Sequence, residues 1–129
     1  MARFAALICL LALLAGCGGD DKKDAEQTVR DFVKAVNERD GNAYCDELIT
    51  EGFREKSTFA KGDAASESCK RQLKAIKGLH IELVRIVRTK VDGDKATTTV
   101  VFRRSGEHVR QQVLLEKDGG DWKIAGGTG

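Results

Sequence analysis

The chain has 129 residues, with 22 lysines and arginines against 20 aspartates and glutamates, four cysteines and no proline. That length holds one domain, and a formal charge of +2 excludes a strongly basic nucleic-acid module or an acidic tail as the main design. The lack of proline excludes a stiff polyproline stalk.

Residues 1–16 differ in kind from the rest: 14 of these 16 are apolar, and removing Arg3 leaves 21 basic against 20 acidic residues in the remaining 113. Arg3 followed by the apolar run Phe4 to Leu14 has the layout of a secretory signal peptide. As a helix that run would cover only about 17 Å, short of the roughly 30 Å needed to span a bilayer. It closes on Leu14-Ala15-Gly16-Cys17, which resembles the lipobox of bacterial lipoproteins. The resemblance implies cleavage before Cys17, acyl chains on that cysteine, and a place in the bacterial cell envelope, lipid-anchored on the extracytoplasmic side of the membrane. Two or more acyl chains are what stable anchoring requires. Residues 17–24, the lipidated cysteine and the run Gly18-Gly19-Asp20-Asp21-Lys22-Lys23-Asp24, read as a flexible tether.

Cys9 leaves with the signal and Cys17 carries lipid, so Cys45 and Cys69 remain in an oxidising compartment. They are expected to form a disulfide. Zinc would need more thiols or paired histidines, and no C-x-x-C occurs. No metal site, cofactor or catalytic residue is expected.

Asp24, with Gln27 in capping-box position, is expected to start the first helix; Val29, Phe32, Val33 and Val36 give it one apolar stripe, and Gly41 stops it. A second helix is expected over Asn42 to Thr50, with Tyr44, Cys45 and Leu48 inward. Glu51 to Phe59 reads as a helical turn or a loop pinned by Phe53 and Phe59, and Lys61 to Ala65 as a loop. Ser66 can cap a third helix that places Cys69, Leu73 and Ile76 on one face before Gly78.

After Gly78 the period becomes extended. Leu79 to Val91, Lys95 to Arg104, Glu107 to Lys117 and Asp121 to Ala125 alternate as strands, separated by turns at Asp92-Gly93, Ser105-Gly106 and Asp118-Gly119-Gly120. The alternation slips a phase between Leu83 and Val84, which predicts a β-bulge. Gly126 to Gly129 reads as a frayed tail. Helices followed by a four-stranded antiparallel meander make an α+β fold, with the helices on one sheet face.

The stretch from Phe32 to Tyr44, with its Asp40-Gly41-Asn42 turn, and the ending Gly119 to Ile124 together resemble the nuclear transport factor 2-like (cystatin-like) superfamily over residues 25–125. That resemblance implies a cone, a bent sheet wrapped around helices with a pocket between them. The candidate lining of such a pocket is Tyr44, Phe53, Phe59, Phe102 and Trp122. Trp122 and Ile124, on one strand face, read first as core anchors. The superfamily contains isomerases, dehydratases and cyclases, but none of their catalytic patterns maps onto this chain. His80 and Glu82 share a strand face opposite Leu79, Ile81 and Leu83, so that pair should face solvent.

Charge is unevenly divided. Cys17 to Ser68 has 8 basic and 13 acidic residues, and Cys69 to Gly129 has 13 basic and 7 acidic. The basic half includes Arg85, Arg88, Lys90, Arg103, Arg104 and Arg110, a candidate surface for anionic lipid, a cell-wall polymer or an envelope protein. The expectation is a membrane-anchored binding or interaction module, and the alternative a small-molecule enzyme using the same pocket.

Overall fold

In the computed structural model, residues 17–128 are described; the expected signal segment, residues 1–16, lies outside them. Helix α1 spans Cys17–Glu38 and buries Ala25, Val29 and Val33 in one core cluster with sheet residues, with Val36 buried beside them on the same stripe. It begins well before Asp24, so the run read as a tether is helical. Asp20 lies in the first turn, where a carboxylate favours the helix dipole. The Asp21 carboxylate accepts a hydrogen bond from Lys117 Nζ at 2.7 Å and one from Trp122 Nε1 at 3.4 Å. The Lys117 hydrogen bond holds the Asp21 carboxyl below the usual carboxylate range, and Asp21 in turn raises the Lys117 ammonium.

The first helix stops at Arg39 rather than Gly41. Arg39 takes a left-handed φ of 57°, and the Asp40 and Arg39 amides donate to the carbonyls of Ala35 and Val36 at 2.9 and 3.2 Å, a Schellman ending. A non-glycine residue in this region costs about 1 kcal/mol or more. The Arg39 guanidinium offsets it by donating to the carbonyls of Val36, Ile76 and Leu79. Gly41 has ordinary helical angles; a Cβ there would lie 3.0 Å from Lys70 Cγ, so the glycine makes room for the Lys70 side chain.

The second helix is π-helical over Asn42–Leu48. Helix α2, Glu51–Thr58, is capped by Thr50, whose hydroxyl accepts from the Phe53 amide at 3.1 Å. Helix α3, Gly62–Ala75, starts ahead of the expected cap Ser66. The Glu55 carboxylate accepts the Gly62 amide at 2.9 Å and so caps α3 from another helix. Ser66 instead donates to Asp46 at 2.5 Å. Cys69 and Leu73 are buried as expected, whereas Ile76 is exposed. The Cys45–Cys69 disulfide is formed, tying the π-helix to α3.

Four strands follow, β1 (Ile81–Asp92), β2 (Lys95–Arg104), β3 (Glu107–Asp118) and β4 (Asp121–Thr128), in one antiparallel sheet of order β1-β2-β3-β4. The expected bulge is present, with pairing slipping between Leu83 and Arg85, and a second slip occurs between Ile86 and Arg88. A third lies between Leu114 and Leu115 opposite β4. Bulges bend the strands that carry them, and they turn this sheet around α1. Residues 126–128 are not a frayed tail: Gly126, Gly127 and Thr128 pair with Leu114, Val113 and Gln112. The Asn37 side chain donates to the Ile81 carbonyl at 2.7 Å and accepts its amide at 2.8 Å, fixing the end of α1 to the start of β1.

Candidate functional site

The bent sheet and the helices leave a cleft between them. The apolar stripe of α1 supplies Phe32 at its edge, half-buried, and the π-helix sets Tyr44 against it with ring centroids 5.3 Å apart. Phe53 comes from α2, and Phe102, Val113 and Ile124 from the concave sheet face. These residues surround a cavity of about 110 Å³ beside Gly126 and Gly127. A wider cavity of about 340 Å³ adjoins it, sharing Phe32, Phe102 and Gln111 and adding Ile81, Val109 and Arg104.

Three of the five expected lining residues, Tyr44, Phe53 and Phe102, therefore meet in one cleft. The other two do not. Trp122 is 4% exposed, in the core beyond Ile124, with its indole directed to Asp21. Phe59 is 97% exposed at the left-handed end of α2 and pins nothing. Phe32 was visible only as one more residue of a helix stripe. Gln111 did leave a signal: in the inward series Val109, Gln111, Val113 and Leu115 it is the one polar residue.

The cleft is apolar with few polar groups. Burial raises the Tyr44 phenol, keeping it a neutral hydrogen-bond donor. Among the described residues, neither the Tyr44 hydroxyl nor the Gln111 amide has a side-chain hydrogen bond to protein. Among the described residues, no carboxylate or imidazole lines either cavity. His80, Glu82 and His108 are exposed, and Glu82 pairs with Arg103 at 3.4 Å. No group of three or more His, Cys, Asp and Glu side chains among the described residues is arranged to hold a metal ion.

The six cations noted in the basic half separate by sheet face. Arg85 and Arg110 flank Val101 across β2, and Arg88 and Lys90 face Thr99 and Thr97. These four have no carboxylate within ion-pair distance among the described residues. Arg103 is taken by Glu82, and Arg104 turns to the concave side with its cross-strand partner Ile81.

A family described as Domain of unknown function (DUF4878) matches residues 15–125. No curated protein matches the chain. Among solved structures, an uncharacterised protein of Caulobacter vibrioides with a cystatin-like fold is 18% identical, with a TM-score of 0.59, covering 83% of this chain and 87% of its own. A nuclear transport factor 2-like protein of unknown function from Shewanella baltica is 11% identical, with a TM-score of 0.58, covering 87% and 94%. A ketosteroid isomerase-like protein of Shewanella frigidimarina is 19% identical, with a TM-score of 0.55, covering 81% and 92%. At these identities the likeness is one of fold: the chain has the nuclear transport factor 2-like α+β architecture.

Proposed function

We propose that this chain, which belongs to the family described as Domain of unknown function (DUF4878), is a lipoprotein of the bacterial cell envelope whose domain binds a small ligand in the cleft. The observation that carries the reading is the cleft itself, an apolar lining of Phe32, Phe53, Phe102, Val113 and Ile124 with two free polar groups, Tyr44 and Gln111. Apolar walls with a few placed polar groups are the usual make-up of a ligand site. Ketosteroid isomerase-like chemistry on this fold would need a general base within about 3 Å of the proton it removes. The cleft offers a neutral phenol and an amide, which orient a ligand and do not deprotonate it. The lipobox-like Leu14 to Cys17 supports the anchor.

Mass spectrometry of the protein extracted from its own membrane tests both parts. The denatured mass should match a chain starting at Cys17 plus acyl groups, which Cys17→Ser loses. Under native conditions a further mass should appear that denaturation releases. An unmodified Cys17 would remove the anchor, and an empty native protein would count against the ligand.

A second reading is favoured by the unpaired cations Arg85, Arg88, Lys90 and Arg110 on the convex face. This face docks on anionic lipid headgroups of the anchoring bilayer by charge complementarity. Binding of the unlipidated Cys17→Ser protein to vesicles should rise with phosphatidylglycerol content and fall with salt, since surface charges are screened over about 10 Å at 0.1 M. The fourfold replacement of these cations by glutamine should abolish it. Binding that ignores lipid charge, or survives that replacement, would remove this surface from the account.

A further inference from the structure

Resting on the cleft as the ligand site, we propose that its ligand is a small amphipathic acid, with an apolar body among the aromatic rings and an anionic group at Arg104. The cleft is polarised along its length. One end is lined by half-buried Phe53 and the buried Val113 and Ile124, and the other by half-buried Ile81 and the exposed Val109 and Arg104. Arg104 is the cation of that lining, and it shares the concave face with Phe102, two residues before it on the same strand. No ion pair holds its guanidinium among the described residues. Even Glu107, its cross-strand partner on β3, makes none. The adjacent Arg103 shows the contrast, being on the other face and taken by Glu82.

A guanidinium with no anion, at the mouth of an apolar channel, selects against amines and bonds an anion more strongly than a neutral acceptor. A carboxylate or similar oxyanion would meet its planar donor fork in the geometry that makes arginine pairs strong. Tyr44 and Gln111, unpaired along the walls, can hydrogen-bond a carbonyl or hydroxyl carried on the body. Length is set by the sheet. Val109 and Val113 mark the two ends of the cleft and lie four residues apart on β3, a span of about 13 Å at strand rise. The ligand class is therefore a compact apolar acid of about that length.

Two fluorescent probes separate the acid from the body: 1-anilinonaphthalene-8-sulfonate and N-phenyl-1-naphthylamine, which has the same aromatic rings and no sulfonate. They would be titrated into the full chain from residue 17, with Cys17→Ser to avoid detergent. The sulfonate should bind at least tenfold more tightly than the neutral probe. Arg104→Gln should erase that difference and leave the neutral probe within twofold, and Arg104→Lys should recover part of it. Arg71→Gln, exposed on α3 and away from both the cleft and the convex face, should change neither probe. Gln111→Trp, which fills the cleft, should weaken both at least tenfold with the thermal midpoint retained.

Equal binding of the two probes, indifference to Arg104→Gln, or an equal loss from Arg71→Gln would overturn the acid while Gln111→Trp still locates the cleft. If neither probe binds, or Gln111→Trp changes nothing, the cleft reading itself fails and the acid with it.

Discussion

Trp122→Ala is expected to lower the unfolding free energy by about 3–5 kcal/mol, the range for truncating a buried tryptophan. The ring is 4% exposed and packed in the core cluster with Val29, Ile49 and Leu115. Three further contacts converge on the residue. Its indole N–H donates to Asp21, its backbone carbonyl accepts the Thr28 hydroxyl at 3.0 Å, and the Lys117 ammonium lies 5.4 Å from its ring centroid. Truncation therefore opens a cavity and also releases the start of α1, so amides near Asp21 should lose exchange protection first. Domains of this size have about 5–15 kcal/mol in total, so the loss is a large fraction. Urea unfolding followed by circular dichroism measures it. A loss under about 1 kcal/mol, far below the expected range, would mean the ring faces a ligand space and is not core. Phe59→Ala is the matched control and should stay within about 0.5 kcal/mol, as surface changes do.

Opening the Cys45–Cys69 bridge is the second large effect. The cysteines are 24 residues apart, and closing a loop of that length is worth about 3.5 kcal/mol in the chain-entropy treatment. The bridge has few substitutes. Helix α3 packs on α2 and the π-helix, where its polar ties are the Glu55–Gly62 hydrogen bond at 2.9 Å, the Lys70–Asp46 ion pair at 2.8 Å and the Ser66–Asp46 hydrogen bond. Lys70 and Ser66 hold the Asp46 carboxyl below the usual carboxylate range, but exposed pairs of this kind contribute only about 0–1 kcal/mol. Reduced protein should thus unfold at clearly lower urea, with Gly62 to Ala75 losing exchange protection before the sheet. Tyr44, next to Cys45 in the chain, should then show a less fixed fluorescence environment. Equal urea midpoints for oxidised and reduced protein would sink this account of the bridge.

Much of the fold was legible because its signals are local. Val29, Val33 and Val36 repeat at helical spacing, the strands alternate at period two, and Ser105-Gly106 supplies two consecutive positive φ angles for a tight turn. The phase slip at Leu83 marked a bulge that the pairing contains. Two cysteines left over once Cys9 and Cys17 were set apart pointed to each other, and they do pair. Tyr44, Phe53 and Phe102 were identifiable because aromatic residues on inward faces of a cone have one place to go.

Tertiary structure decided what depends on a distant partner. Gly18 to Asp24 reads as a tether until Lys117 and Trp122 come to Asp21; α3 lacks a local cap until Glu55 reaches Gly62; and Gly126 to Thr128 looks frayed until β3 is alongside. The same holds for the site. The sequence determined that a basic half exists and that Trp122 reads first as a core anchor, whereas the bent sheet decided that Trp122 stays out of the cleft, Phe59 is outside, and Arg104 parts from Arg85, Arg88, Lys90 and Arg110 to stand at the mouth of the cleft. The reason is that periodicity assigns a side chain to a face of its own element, while only the packing of elements sets what that face meets.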